Sequence, residues 1–241
     1  MRDISVIGRS WRSWGKTVFS SAVRDNLAII RRAAADAAKP GGTILDLGCW
    51  DGEPFLGYAP PGMQLLGVEA DAPASELARG RGIEVITADL NQPPWPIEDA
   101  SVDIITSNQV IEHLADTDCF LAEARRVLRA GGRLIVSTEN LASWHNIVAL
   151  FAGWQAFSLT NVSEVKAGVG NPLANLRATE PVHKGWQHQR IFSYRGLREL
   201  AEAHGFSDVE IRGAGYFPLP ARTARLDPRH AAFITVIGTA G

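Results

Sequence analysis

Between residues 43 and 138 the sequence alternates short apolar runs with longer amphipathic segments, and this alternation restricts the fold more than any other feature. Helices are predicted at 18–38, 72–79 and 116–129, with one short helical segment after the first strand. Strands joined by helices pair in parallel and are covered on both faces. The sequence therefore predicts an α/β fold with three layers around a mostly parallel sheet. The five strands are predicted at 43–47, 64–69, 82–87, 102–107 and 132–138.

The end of the chain follows a different pattern. A helix is predicted at 193–204, where Ser193 can cap its start and Gly205 can end it. Strands are predicted near 207–212 and 232–238, with no long helix between them. Short connections favour antiparallel pairing, so we expect an antiparallel strand at the C-terminal end of the sheet.

The helix predicted at 116–129 has one apolar face and one charged face. Gly131 and Gly132 follow it directly. Because glycine commonly ends helices in a left-handed conformation, we expect this pair to form a glycine cap.

Length and composition favour one domain, because 241 residues with 46% hydrophobic side chains can bury a single sizeable core. Within a single domain at 1–241, residues 1–42 form an N-terminal helical cap. Periodicity is lost after Asn140, and residues 140–192 are interpreted as an insertion on the substrate side. The apolar stretch 141–157 could also cover a partner chain, so an oligomer stays open.

The charge balance points away from macromolecular partners. The chain has 24 Lys and Arg against 26 Asp and Glu, with no long run of like charges, which argues against a nucleic-acid or membrane-surface partner. It has neither a secretory leader pattern nor an apolar stretch long enough to span a membrane. We therefore expect a cytoplasmic protein with a small-molecule partner. Cys49 and Cys119 lack metal-ligand spacing, and no metal is predicted.

The first strand ends in the turn ILDLGCWDGE at 44–53, which has the form of a nucleotide-binding loop. Gly48 and Gly52 can shape a tight strand-to-helix turn with backbone amides beside the carboxyl edge of the sheet. Asp46 can accept from an ammonium group, and Glu69 at the end of the second strand can accept from two ribose hydroxyls. Together they predict an adenosine-type site, although such a turn also occurs without any ligand.

Further polar residues end the next strands in the same order. Asp89 follows the third strand, where its carboxylate can accept from an adenine amino group while Leu90 packs on the ring. Asn108 ends the fourth strand. The alternative for Asp89 is a structural turn cap.

These motifs, from LDLGC through ITADL to NQVIEHL and RLIVST, resemble the small-molecule type of class I S-adenosylmethionine-dependent methyltransferases. The resemblance covers about residues 43–139 and, more weakly, HQRIFSYRGLRELAEAHGF at 188–206. It implies a Rossmann-like fold, methyltransferase activity (EC 2.1.1) and S-adenosyl-L-methionine as cofactor. It also implies site roles: the methionine end for Asp46, Gly48, Cys49 and Gly52, the ribose for Glu69, the adenine for Asp89 and Leu90, and a backbone contact for Asn108.

Trp50 departs from that family pattern, which has a glycine at this position. We expect a negative φ for Trp50 and an indole turned away from the crevice onto the first helix after the loop. A positive φ would strain a bulky residue by about 1–3 kcal/mol and require a remodelled loop.

Transfer to a hydroxyl requires that a proton be removed, and His113 and His188 are the candidate bases. Glu112 could orient His113 or another polar group. Both histidines could instead be structural.

His183, Trp186 and Arg190 are candidate substrate residues, because an aromatic face with polar groups suits a sugar hydroxyl. Here too the alternative is structural: a solvated loop, with Arg190 on a backbone carbonyl. The prediction is O-methylation of a small polar acceptor, with a sugar or glycan precursor as a guess. Two other functions stay open: a non-catalytic methyltransferase-like subunit, and a NAD(P)-dependent oxidoreductase, which Trp50 disfavours because a pyrophosphate needs closer approach.

Overall fold

The computed structural model describes residues 4–174, 183–217 and 219–241, and for 4–17 and 222 it describes the backbone alone. Within these residues seven strands, β1 to β7, form one sheet. They are Thr43–Leu47, Gln64–Glu69, Glu84–Thr87, Val102–Asn108, Leu128–Glu139, Phe206–Ala214 and Phe233–Ala240. The helices α1 to α6 are Ile4–Ala37, Glu53–Tyr58, Ala72–Gly80, Thr117–Val127, Trp144–Phe151 and Tyr194–Ala203.

The strand order is β3-β2-β1-β4-β5-β7-β6. The pairs from β3 to β5 are all parallel. β7 lies between β5 and β6 and is antiparallel to both. The predicted Rossmann-like sheet, mostly parallel with an antiparallel C-terminal strand, is confirmed.

The core has two halves, one on each face of the sheet, because successive strand residues point to opposite sides. Ile44 and Ile104 face α1, α2 and α3, where Ile30 and Phe55 are fully buried. The next residue of each strand, Leu45 and Ile105, faces α4 and α6, where it joins Phe120 and Leu197 in the other cluster. The three predicted layers are therefore present.

Side chains cap several helices as the sequence suggests. Ser193 accepts a hydrogen bond from the Gly196 amide at 3.3 Å, and Gly205 ends α6 with a φ of +79°. Asp116 caps α4 in the same way through the Cys119 amide at 2.9 Å. These caps fix the helix starts next to the sheet edge.

The expected glycine cap after α4 is wrong. α4 ends at Val127, and Leu128 is already extended and pairs with Val102 as the start of β5. Gly131 and Gly132 instead accompany a register shift in that strand pair. A Cβ on Gly132 would lie 2.8 Å from the Arg129 carbonyl oxygen, so this position needs glycine for close backbone approach.

The N-terminal cap and the insertion stay predictions as separate parts of the domain. α1 runs from Ile4, earlier than predicted, and it contacts β4 to β7. The insertion contains α5, while its residues 175–182 lie outside the described residues. Among the described residues, no helix is both long and apolar enough to cross a membrane.

Candidate active site

The ends of the parallel strands bring four of the predicted cofactor residues to one edge of the sheet. Asp46 lies in β1, Glu69 ends β2, Asp89 follows β3 and Asn108 ends β4. Because parallel strands share the direction of their carboxyl ends, these residues lie along one crevice.

The loop after β1 uses its backbone amides within the protein. The two glycines take positive φ values of +77° at Gly48 and +81° at Gly52, and a Cβ at either would lie within 2.5 Å of a neighbouring side chain. The expectation that this loop presents its amides to a ligand is therefore wrong at four positions. The amides of Gly48 and Cys49 donate to the Val68 carbonyl, that of Gly52 to the Cys49 carbonyl, and that of Trp50 to Glu69 Oε2.

Trp50 has a φ of +48°, so the predicted negative φ is wrong. Its amide donates to Glu69 Oε2 at 2.9 Å, a charge-assisted hydrogen bond that offsets part of the backbone strain. The indole does not turn onto α2 but meets the edge of Trp186, with 5.2 Å between ring centroids. Trp50 thus connects the loop after β1 with the insertion.

Asp46 is buried beneath this loop, with 2% of its surface exposed. Its Oδ1 accepts hydrogen bonds from the Tyr58 hydroxyl at 2.8 Å and from Thr106 Oγ1 at 2.6 Å. Burial raises the pKa of Asp46 to about 7, against the effect of these two hydrogen bonds. Oδ2 accepts none from the part of the chain that the structure describes.

Cys49 points into the protein rather than into the crevice. A Cβ on Gly67 would lie only 2.5 Å from the Cys49 Sγ. The thiol therefore fills the space that a side chain at this position of β2 would need. Burial raises the pKa of the Cys49 thiol to about 12. Only the backbone of Cys49 is therefore available to a ligand.

Glu69 is held in place by backbone amides on both carboxylate oxygens. Oε2 accepts from Trp50 and Oε1 accepts from the Asp71 amide, each at 2.9 Å. The side chain is half-buried and keeps further lone pairs as an acceptor. Such a carboxylate suits the donors of a ribose.

Asp89 lines an open depression at the ends of β2 and β3. Its Oδ1 accepts from the Asn91 amide at 2.9 Å, so Asp89 is also the turn cap that the sequence allowed. Leu90 is buried in the core below. The depression is lined by Ala70, Thr87, Ala88, Asp89 and Gln92.

Asn26 of α1 is a polar contact that the sequence analysis missed. It is 3% exposed; its Nδ2 donates to Asn108 Oδ1 at 2.9 Å, and its Oδ1 accepts from Ser137 at 2.7 Å and Thr235 at 3.1 Å. One asparagine thereby fixes α1 against three strand ends. The only sequence signal was an asparagine beside the apolar stripe of α1.

The two candidate bases lie together, with 4.8 Å between the ring centroids of His113 and His188. His113 Nδ1 lies 3.2 Å from the Gln187 carbonyl oxygen, and His188 Nδ1 lies 2.7 Å from the Ser158 carbonyl oxygen. Burial lowers the pKa of His113, and the neighbouring His188 ring adds to this. The proximity crosses 75 residues of sequence, so no local pattern could have indicated it.

Two glutamates adjoin these rings. Glu112 is fully buried, and burial together with the Glu139 carboxylate raises its pKa to about 8, against hydrogen bonds from the backbone and Thr138. Its side chain does not orient His113, because Oε2 accepts from Thr138 Oγ1 at 2.9 Å. Glu139 ends β5, and its Oε2 lies 3.8 Å from His188 Nδ1. Sequence analysis had not singled out Glu139.

A cavity of about 180 Å³ opens beside Glu139 at the same sheet edge. Glu139 ends β5, which lies two strands away from β1 in the sheet, and neighbouring strands lie about 4.8 Å apart. The cavity walls are mostly apolar, with Glu139, His145 and Tyr216 as their ionisable groups among the described residues. The lining residues are Val18, Phe19, Ala22, Glu139, His145, Phe157, Ser158, Thr160, Ala174, Tyr216, Phe217, Ala232 and Phe233.

The three predicted substrate residues lie elsewhere. His183 is exposed and accepts from the Gly185 amide, and Trp186 is 57% exposed against Trp50. Arg190 donates to Thr117 Oγ1 and to the Ala115 carbonyl, which is the structural role that the sequence left open. None of the three is among the described residues that line the cavity.

The crevice offers acceptors where a nucleotide loop would offer donors. Oδ2 of Asp46 and the carboxylate of Glu69 suit an ammonium and ribose hydroxyls, whereas a pyrophosphate would need the four amides that donate elsewhere. This set of acceptors therefore favours an adenosyl amino acid over a dinucleotide as the ligand. Fold and site together define an α/β protein of the nucleoside-binding methyltransferase class.

Comparisons with known proteins agree with this class. Residues 45–136 match a family described as a methyltransferase domain. A Mycolicibacterium smegmatis protein named as a probable S-adenosylmethionine-dependent methyltransferase is 37% identical over 80% of this chain and 62% of its own length. A ubiquinone biosynthesis O-methyltransferase from Chelativorans is 33% identical over 49% of each chain. The chain thus spans less than two thirds of these relatives.

Among solved structures, a Thermotoga maritima protein described as a possible histamine N-methyltransferase has the same fold, with a TM-score of 0.62 and 21% identity. The alignment covers 98% of this chain and 99% of that one. Residues 45–136 therefore form a methyltransferase domain of the class I, S-adenosylmethionine-dependent type, and S-adenosylmethionine is the cofactor of this family.

Proposed function

We propose that this chain methylates a hydroxyl oxygen of a small acceptor bound in the cavity beside Glu139. The observation that carries the proposal is the position of Glu139, which lines the cavity and lies 3.8 Å from His188. When bound, the cofactor supplies a methyl group on a positively charged sulfur, which is a good leaving group. The protein therefore contributes alignment and removal of the hydroxyl proton.

The proposed cofactor site uses the residues of the crevice. Asp46 Oδ2 accepts from the ammonium group, Glu69 accepts from the ribose hydroxyls, and Asp89 accepts from the adenine amino group at the open depression. Gly48 and Gly52 shape the loop. Backbone atoms of Cys49 and Asn108 contribute at the methionine end, and Leu90 supports the adenine side from below.

The cavity favours an apolar ring over a sugar as the acceptor. At about 180 Å³ it is close in size to the 150 Å³ or so that accommodates a single benzene ring in a protein interior. Its phenylalanine walls leave few partners for the several hydroxyls of a sugar. A monocyclic phenol is the simplest acceptor with these properties, and the Chelativorans relative, named an O-methyltransferase, agrees with oxygen as the methylated atom.

The carboxylate of Glu139 takes the hydroxyl proton in this proposal. His188 lies behind it, with Nδ1 at 3.8 Å from Oε2, and the His113 ring lies next to His188. The two histidines thus lie beside the base and are not among the described residues that line the cavity.

The test is methyl transfer to a panel of monocyclic phenols by Glu139→Gln. We expect turnover to fall about 10²–10⁴-fold, because a base is lost. The affinity for S-adenosylhomocysteine should stay unchanged. Glu210→Gln is the control, since Glu210 is half exposed and pairs with Arg212 on β6.

Equal turnover in Glu139→Gln and the control would remove Glu139 from the reaction. A protein that binds S-adenosylhomocysteine but methylates no acceptor would instead support the non-catalytic subunit.

A further inference from the structure

We propose that Glu112, His113 and His188 form a binding site for a divalent transition-metal ion. One donor atom from each residue lies within 4.8 Å of the other two. Metal–ligand distances of about 2.1 Å in tetrahedral sites place donors about 3.4 Å apart, so the three would draw together by roughly 1.4 Å. The site shares His113 and His188 with the proposed function, but its test needs neither acceptor nor cofactor.

Both histidines have the orientation of metal ligands. Each ring directs Nδ1 at a backbone carbonyl oxygen, that of Gln187 for His113 and that of Ser158 for His188. A ring that donates from Nδ1 is fixed in the tautomer with a lone pair on Nε2, and this outer hydrogen bond accompanies most metal-bound histidines. The two rings therefore each leave one nitrogen for an ion.

One carboxylate oxygen of Glu112 lacks a hydrogen-bond partner among the described residues, and a bound cation would supply one. Its side chain is fully buried, Oε2 accepts from Thr138, and Oε1 has no hydrogen-bond partner among the described residues. Glu139 Oε2 is also buried without a hydrogen bond from them. Buried anionic oxygens are costly unless they pair with a charge or bind a metal. A bound cation would meet this need at Glu112.

Two imidazoles and one carboxylate select the kind of ion. Imidazole suits zinc, iron, nickel and copper, whereas magnesium and calcium prefer oxygen ligands alone. We therefore assign the site to a zinc-type ion held by three protein ligands, with an open position as in catalytic zinc sites.

The test is titration of the full chain, stripped by a chelator, with Zn²⁺ and Co²⁺, and with Mg²⁺ for contrast. Calorimetry gives stoichiometry and affinity, and the visible absorption of Co²⁺ shows the coordination, without acceptor or cofactor. We expect one Zn²⁺ per chain and much weaker Mg²⁺ binding. His113→Ala and His188→Ala should lose the site, and Thr138→Val should weaken it about tenfold through the outer hydrogen bond.

His204→Ala is the matched control, because His204 is partly buried, as His113 and His188 are, and its Nε2 contacts Asp118 instead. Thermal melting of each variant checks folding, and Glu112→Gln, which keeps the side-chain shape, serves if an alanine variant unfolds. Absence of one-to-one Zn²⁺ binding in the wild-type chain would overturn the proposal. So would equal binding by the ligand variants and the control, or Mg²⁺ binding as tight as that of Zn²⁺.

Discussion

The protonation of the buried Asp46 carboxylate links the stability of the fold to pH and to the proposed binding of the cofactor. Its pKa is raised to about 7 from 3.8, because burial outweighs the hydroxyl groups of Tyr58 and Thr106. A group with a raised folded pKa stabilises the fold below its unfolded pKa, and this contribution is lost as pH rises through the folded pKa. The stabilisation from Asp46 is therefore lost between about pH 4 and pH 7. Above this range Asp46 is ionised, and the carboxylate is the form that an ammonium group would pair with.

We expect the difference in unfolding free energy between wild type and Asp46→Asn to shrink over that window. The wild type loses at most about 4 kcal/mol from Asp46 as pH rises, since each pKa unit is worth about 1.4 kcal/mol. Asparagine does not titrate, so the variant lacks this term. Denaturant unfolding at several pH values measures it, and a difference that is constant from pH 4 to 7 would contradict the assignment.

The positive φ of Trp50 can be tested by substitution. With a φ of +48°, an alanine here keeps the strained backbone while a glycine releases it, and both remove the contact with Trp186. We therefore expect Trp50→Gly to be more stable than Trp50→Ala by about 1 kcal/mol. Thermal or denaturant unfolding measures the difference. Trp50→Ala as the more stable of the two would restore the negative φ that the sequence predicts.

Single residues differ in how far sequence reveals them. Asp46, Glu69 and Asp89 could be predicted because each ends or follows an apolar strand, and strand ends meet at one sheet edge. Glu139 also ends a strand, but its contact with His188 depends on how the insertion folds back. The φ of Trp50 depends on a hydrogen bond to Glu69, which no local pattern indicates.

At the scale of elements, α1 is fixed to the sheet through Asn26. We expect Asn26→Ala to destabilise the protein by about 3 kcal/mol, because Asn108, Ser137 and Thr235 each lose a partner in a mostly buried setting. Ser20→Ala, at an exposed position of the same helix, should stay within about 0.5 kcal/mol of wild type. Denaturant unfolding compares them, and equal stabilities would mean that apolar contacts alone hold α1.

The ends of a helix could be predicted where a capping residue within the same helix turn sets them. They could not be predicted where pairing with a distant strand sets them. Ser193 and Gly205 bound α6 as expected, because a cap needs only its own helix turn. The helix after Asp116 stops at Val127 instead of at the glycines, because Leu128 gains a strand partner in Val102. A tertiary contact overrides the helical pattern there.

The whole molecule places an acceptor-rich crevice and an apolar cavity along one sheet edge. The mostly parallel sheet and its antiparallel C-terminal strand were predictable, since alternating elements and short connections leave few topologies. The cavity was not, because its walls come from α1, the insertion and the loop before β7. The hydrogen bonds of the loop after β1 could not be predicted either, because three of its amides donate to Val68 and Glu69 on the neighbouring strand β2. These hydrogen bonds favour an adenosyl amino acid over a dinucleotide as the ligand.

We propose that this crevice holds an adenosyl amino acid through Glu69. Calorimetric titration with S-adenosylhomocysteine, with NAD in parallel, tests it on wild type, Glu69→Ala and the exposed control Glu76→Ala. We expect micromolar, selective binding that Glu69→Ala weakens by about 1–3 kcal/mol, or roughly 5- to 150-fold. NAD binding as tight as that of S-adenosylhomocysteine, or unchanged affinity in Glu69→Ala, would contradict the account.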